Sequence, residues 1–313
     1  MLLSNINPPF LCMKTAILIL AHKNVWQLEK LVRRLSETFD IYIHADRKWK
    51  LDVNIFSTYP NVHFVKRHEV HWGSHLQIDA TLELYTAAWK KQYDYYLLIS
   101  GQDLPIKSND QLLDFITQNK ELNFVNFEPL PRADWADQNG GFDRIDYYHG
   151  IHFEARDLGM LRRKLYTALR KFQRSVGIKR KLYPVQYYGG WNWININNDA
   201  MNQIFKYLHE NPNFLNTFKY TESGDELWVQ TILANCITNI ESDSLRYTEW
   251  EKKTAHPNVL TMKDLDRIMA SKDLFARKFD ELVDKEVIEK IYELTSGTPS
   301  SVHEDDGKTL NSA

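Results

Sequence analysis

The chain is 313 residues long, enough for one large domain or two small ones, and 43% of it is hydrophobic, which excludes global disorder. Its 39 Lys and Arg nearly cancel its 41 Asp and Glu, so a net-basic nucleic-acid binder is not the starting reading and no nucleic-acid partner is expected. Two cysteines, Cys12 and Cys236, allow neither a disulfide framework nor a Cys-rich zinc site and fit a reducing compartment.

Residues 1–13 hold two prolines and no basic stretch, so they read as an extension ahead of the domain and not as a secretory signal. The longest apolar run, Ala16–Ala21, is far short of the roughly 20 residues a membrane-spanning helix needs. It reads as the middle of a buried strand, Thr15–Ala21. Val25, Leu28, Leu31, Val32 and Leu35 recur at helical spacing and predict a helix over Val25–Thr38. Strands follow at Ile41–Ala45 and Val62–Val65, a helix at His75–Lys90, and a strand at Tyr95–Ser100. Gly101–Pro105 reads as a polar turn, Gln111–Gln118 as a helix and Asn123–Phe127 as a strand. Such alternation predicts a mostly parallel sheet covered on both faces, with ligands bound beyond the carboxyl ends of its strands.

Further on, helices are predicted at Asp199–Glu210, Asp225–Asn235, Lys263–Ser271 and Lys285–Leu294. No Pro/Gly/Ser-rich linker divides the chain, so residues 14–294 read as one α/β domain. Residues 295–313 read as a disordered polar tail. Leu161–Lys181 carries nine Lys and Arg and no acid, threaded by an apolar stripe of Leu161, Leu165, Ala168, Leu169, Phe172 and Val176. Two readings stay open for it. The stripe packs a solvated helix onto the core, or the helix lies on an anionic membrane surface.

Several chemistries are missing. After the first strand stands Ala21-His-Lys-Asn24 in place of a glycine-rich dinucleotide turn, and no Walker A, G-x-S-x-G or H-E-x-x-H motif is present. His68, His71 and His75 have near-helical spacing, but Trp72 and Gly73 interrupt a helix there, and no metal site is expected. Acids instead fall at strand ends and helix starts: Asp46, Asp103, Asp225 and Glu226. An aromatic cluster, Tyr187-Tyr-Gly-Gly-Trp-Asn-Trp193, suits sugars, whose C–H faces stack on rings while their hydroxyls need polar partners. Arg277 and Lys278 sit between apolar anchors and suit a diphosphate.

Taken in order, Ala16–His22, Ile41–Asp46, Val70-His-Trp-Gly73, Leu98–Ile106, Asp225-Glu226 and Leu274–Phe279 resemble glycosyltransferase family 14, which holds core-2/I-branching β-1,6-N-acetylglucosaminyltransferases and peptide O-xylosyltransferases. The resemblance runs from about Lys14 to Leu294, leans toward the xylosyltransferase branch and suggests a bacterial-type member. It implies a GT-A-type, Rossmann-like mixed, mostly parallel sheet flanked by helices. The nucleotide-binding half is then about 14–127 and the acceptor and catalytic half about 128–294. It implies an inverting transferase that moves GlcNAc or xylose from a UDP-sugar to a glycan, lipid-linked saccharide or protein acceptor, with no cofactor and no divalent metal.

By the same matching, Glu226 is the general base, with Asp225 the runner-up. Arg277, Lys278 and His256 face the diphosphate. Asp46, Val70, His71, Trp72 and Asp103 line the nucleotide end, and Asn192 and Trp193 approach the donor sugar. The family often has Asp-Trp where this chain has Asn192-Trp193, which removes a charge. Arg246 is a weaker candidate near the phosphates. The alternative is a non-catalytic nucleotide-sugar or carbohydrate-binding protein on the same fold, which turnover distinguishes. The expected location is cytoplasmic, peripheral to the inner face of a membrane.

Overall fold

The computed structural model describes residues 13–150, 160–251 and 256–296. The proposed amino-terminal extension up to Cys12 and the proposed tail beyond Ser296 lie outside them.

In chain order the elements are β1 (Thr15–Ala21), α1 (Val25–Leu35), β2 (Asp40–Ala45), β3 (Val62–Phe64), α2 (Leu76–Trp89), β4 (Tyr95–Ser100), β5 (Asp103–Pro105), α3 (Asn109–Gln118), β6 (Asn123–Val125), β7 (Glu128–Pro129), α4 (Phe142–Asp146) and α5 (Met160–Ser175). Then come β8 (Tyr188–Gly189), β9 (Ile194–Asn197), α6 (Asn198–Glu210), α7 (Trp228–Cys236), β10 (Ile240–Glu241), β11 (Arg246–Thr248), α8 (Leu265–Ala270), β12 (Phe275–Arg277) and α9 (Lys285–Thr295). Among the described residues a seven-stranded sheet runs β10-β6-β9-β4-β1-β2-β3. All neighbours are parallel except β9, which runs antiparallel between β4 and β6.

The central strands are apolar on both faces because helices cover both faces. Ala16 and Leu18 of β1 point to a core shared with Leu84 of α2, Met201 of α6 and Trp228 of α7. Ile17 and Ile19, one residue out of phase, point to a second core with Leu31 of α1 and Leu112 of α3. This is the period-two geometry of a strand. A third cluster joins Leu104 and Ala276 to Ile268 of α8 and to Val287, Ile288 and Ile291 of α9. It backs a small sheet, β11-β12-β5, that stands beside the carboxyl end of β4.

The mostly parallel α/β architecture is therefore the expected one, with three local differences. Residues Asp103–Pro105 are a strand, not a turn, because β12 pairs with them antiparallel and sets Arg277 opposite Asp103. The helix expected from Asp225 begins at Trp228; Gly224–Glu226 is a separate 3₁₀ turn, broken from it at Leu227 (φ -128°). The apolar stripe of α5 does not pack on the core: Leu165, Leu169, Phe172 and Val176 are exposed. The inward face is polar instead. Buried Gln173 accepts from the Tyr148 amide at 2.8 Å, Arg174 pairs with Asp143, and Arg170 lies 3.8 Å from Glu222.

Candidate active site

The site gathers at the carboxyl ends of β1, β2 and β4, where unpaired backbone ends and short loops leave room. His22 follows β1 and Asp46 follows β2. The Asp46 amide donates to the Ala21 carbonyl at 2.8 Å, which holds the two strand ends together. The Asp46 carboxylate accepts from the Lys48 amide at 2.8 Å. Arg67 donates to the carbonyls of Ala45, Asp46 and Trp49 and so fixes this loop.

His22 is exposed at its surface, though protein packs around its ring. Burial there, followed by the charges of Lys23, Lys278, Lys48 and Arg277, lowers its pKa to about 4. The imidazole is therefore neutral at physiological pH. Four cations drawn from three separate stretches of chain converge on this one recess. Lys23 is paired with Asp280 at 2.5 Å.

Arg277 is held from behind. Its Nε lies 3.5 Å from an Asp103 oxygen, and its guanidinium lies 4.1 Å from the centre of the Trp193 ring. Asp103 has no exposed surface and accepts from the Ser100 amide and hydroxyl at 3.1 and 3.0 Å. It thus stands behind Arg277 and does not face the recess, which revises the expectation that it contacts the nucleotide. Arg246 is likewise wholly buried. It donates to the carbonyls of Leu98 and Ser244 and to Asn195, and acts as an internal strut and not a ligand contact.

The second part of the site is the turn that carries Asp225 and Glu226. The Ser223 amide donates to the Gly73 carbonyl at 2.8 Å, joining the Val70–Gly73 loop to this turn. Asp225 is buried, accepts from the Gln77 amide group at 2.7 Å, and has its pKa raised by burial first and by Glu226 second. It therefore holds its proton well above the usual carboxylate range. Glu226 is partly open to solvent. Its Oε2 meets Arg144 at 2.6 Å, while Oε1 has no protein partner among the described residues. Arg144 is itself stacked 3.6 Å from the Trp135 ring centre. The environment separates the two neighbouring acids, one kept protonated inside and one placed against a cation at the surface.

Residues 190–193 connect these two parts. The Gly190 amide donates to the Glu226 carbonyl at 2.9 Å, and Trp193 covers Arg277. Three residues of chain, spanning at most about 11 Å, therefore separate the backbone anchored to the Glu226 turn from the residue that stacks on Arg277. Between them, the buried amide of Asn192 has no hydrogen-bond partner on either Nδ2 or Oδ1 among the described residues. A buried amide left unpaired costs about 1–3 kcal/mol, which a ligand hydroxyl would recover.

The remaining candidates meet in local contacts. Val70 and His71 are half-buried, and His71 is 3.5 Å from Glu69. Trp72 meets His256 edge to face at 5.0 Å, so two candidates far apart in sequence are brought together. Trp191 and Trp250 lie 6.2 Å apart. The histidine triplet does not converge: His68 bonds Glu83 at 3.0 Å and stacks on His44. Among the described residues no group of three or more His, Cys, Asp or Glu is placed to hold a metal ion.

A sequence model of the Core-2/I-Branching enzyme family matches residues 15–272. The chain belongs to this family of glycosyltransferases. Its curated relatives include Xylosyltransferase oxt of Drosophila pseudoobscura pseudoobscura, 23% identical over 88% of this chain and 32% of that protein. Xylosyltransferase 1 of Homo sapiens is 24% identical over 79% of this chain and 26% of that protein. The chain thus spans about a third or less of these relatives' lengths. Among solved structures, the apo form of mouse xyloside xylosyltransferase 1 aligns with 84% of this chain and 97% of its own at 8% identity, with a TM-score of 0.36. Among the described residues of this family member, no helix is long and apolar enough to cross a membrane.

Sequence reasoning missed His22, Lys23, Lys48 and Arg144 as parts of the site. Each is an ordinary polar residue in a loop or short helix, and only the sheet brings the three basic loops together. Gly190 was not singled out either, although its lack of a side chain is required. A Cβ there would lie 1.7 Å from the Asn126 carbonyl oxygen. Gly190→Ala is expected to destabilise the fold by about 3 kcal/mol through overpacking against backbone. Scanning fluorimetry then reads a fall in melting temperature of roughly 6 °C; an unchanged midpoint would contradict the packing described.

Proposed function

We propose that this protein transfers a sugar, GlcNAc or xylose, from a UDP-sugar to an acceptor hydroxyl with inversion, and that protein cations do the work for which other transferases recruit a divalent metal. The observation that carries this reading is the bridge of residues 190–193. It links the Glu226 turn to Arg277 and holds an unpaired Asn192 amide between them. Family membership supports sugar transfer, and the names of the relatives favour xylose.

In this reading the uridine end lies near Asp46, with Val70, His71 and Trp72 on its rim. The diphosphate lies in the recess beside Arg277 and Lys278, with His256 at its edge. Asn192 and Trp193 meet the sugar. The acceptor oxygen attacks the anomeric carbon as the bond to the diphosphate oxygen breaks. The hydroxyl proton passes to Glu226 and the bonding electrons to the departing phosphate, whose charge Arg277 and Lys278 offset. Neutral His22 can donate to the same phosphate without adding charge. The acceptor is a glycan, a lipid-linked saccharide or a protein.

A panel of UDP-sugars tested for UDP release in EDTA examines this directly. One donor should turn over, slowly with water as acceptor, at the same rate in EDTA and in manganese. Loss of turnover in EDTA with recovery in manganese would refute metal independence. Donor binding with no turnover on any glycan, lipid or peptide acceptor would favour a binding protein instead.

A further inference from the structure

Helix α5 turns a polar face inward, through Gln173, Arg170 and Arg174, while Leu165, Leu169, Phe172 and the following Val176 face solvent. Leu165 is 66% exposed and Phe172 56%, with Leu169 and Val176 at 44% and 51%. Their spacing of four, three and four residues stacks them into one straight ridge along the helix. Lys164 and Lys171, seven residues apart, line one side of that ridge, and both are exposed. A ridge of this kind on a family member with near-balanced overall charge needs an occupant.

We propose that α5 lies flat on an anionic phospholipid surface, with the Leu165–Val176 ridge among the acyl chains and Lys164 and Lys171 at the headgroups. Apolar ridge and basic flank together fit a lipid surface, which offers hydrocarbon beside negative charge. A nucleic acid would engage the lysines and leave the ridge in water. An antiparallel second copy would cover the ridge but bring one protomer's lysines against the other's.

The inward contacts also fix where the bilayer would stand. Asp143, the partner of Arg174, precedes Arg144, and Glu222, beside Arg170, precedes the turn that carries Glu226. Docking by α5 therefore sets the Glu226 side of the site close to the lipid surface. If the transferase reading above holds, the acceptor is one carried by a membrane lipid. The docking itself does not depend on that reading.

The test is vesicle sedimentation with the full chain, needing no catalysis. Vesicles of phosphatidylcholine and phosphatidylglycerol in equal parts should bind at least about tenfold more protein than phosphatidylcholine alone. L169S/F172S should lower binding to the mixed vesicles by about tenfold. K164E/K171E should abolish the preference for phosphatidylglycerol. Both variants change exposed side chains, so each should melt within about 2 °C of the parent, and both should release UDP from a soluble donor at the parental rate. Equal binding to both vesicle types, or unchanged binding by L169S/F172S, would overturn the proposal. So would concentration-dependent dimerisation that L169S/F172S abolishes, or binding to an oligonucleotide that survives L169S/F172S at full strength.

Discussion

Glu226→Gln should lower turnover by about 10² to 10⁴-fold, the usual share of a positioned general base, while donor affinity stays within about twofold of the parent. The substitution keeps the shape of the side chain and its contact with Arg144, and removes only the ability to accept a proton. UDP release measures the first quantity and calorimetric titration of UDP the second. The neighbouring acid is the control. Asp225 is buried, bonded to Gln77 and raised in pKa, so it already carries its proton when the enzyme works. Asp225→Asn should cost less than about tenfold in turnover. The sign of its stability effect follows from linkage. A raised folded-state pKa adds stability at low pH, and that stability is lost as pH rises through the folded-state value. Asp225→Asn should therefore melt higher than the parent on the alkaline side. Full activity of Glu226→Gln with a dead Asp225→Asn would reverse the assignment.

Arg277→Ala combined with Lys278→Ala should weaken UDP binding by a hundredfold or more, since each charge-assisted bond to phosphate is worth about 1.5–3 kcal/mol. Turnover should fall as well, because the leaving diphosphate loses its counter-charge. Arg277 also covers Trp193 and is the cross-strand partner of buried Asp103, so its loss alone disturbs the fold. Lys278→Ala leaves the Asp103 and Trp193 contacts in place and should cost about tenfold in UDP affinity. The loss should shrink in high salt in proportion to the charge removed. Parental UDP affinity in Lys278→Ala would remove the lysine from the phosphate site.

The central strands were legible because both of their faces are buried. Ala16-Ile-Leu-Ile-Leu-Ala21 leaves no alternative to a covered strand. Strand β9 was not legible. Its sequence, Ile194-Asn-Ile-Asn197, puts turn-forming residues in a fully buried strand. Tertiary partners make that possible: Asn195 bonds the Ser244 carbonyl and Arg246, and Asn197 caps α6. Strands β5 and β12 were hidden for a related reason, since each is three residues long and gains its identity only from its partners in the small sheet. The proposed base and the proposed Arg277-Lys278 phosphate pair rest on short motifs in the sequence. Arg144 could not, because nothing near it in sequence marks it as the partner of a glutamate 82 residues away. The amphipathic character of α5 was plain, but its direction was not. Asp143 and Glu222 lie in other segments, and they decide which face turns inward.

The reversed strand at the middle of the sheet has a consequence for how the chain matures. As the polypeptide leaves the ribosome, β4 and β6 emerge early, but the strand that joins them, β9, comes some seventy residues after β6. Until then the nascent sheet has two raw borders with open backbone groups, a state prone to clumping. Residues 14–127 are therefore not a separable folding module. A version cut after residue 127 would lack its keystone and should stay insoluble.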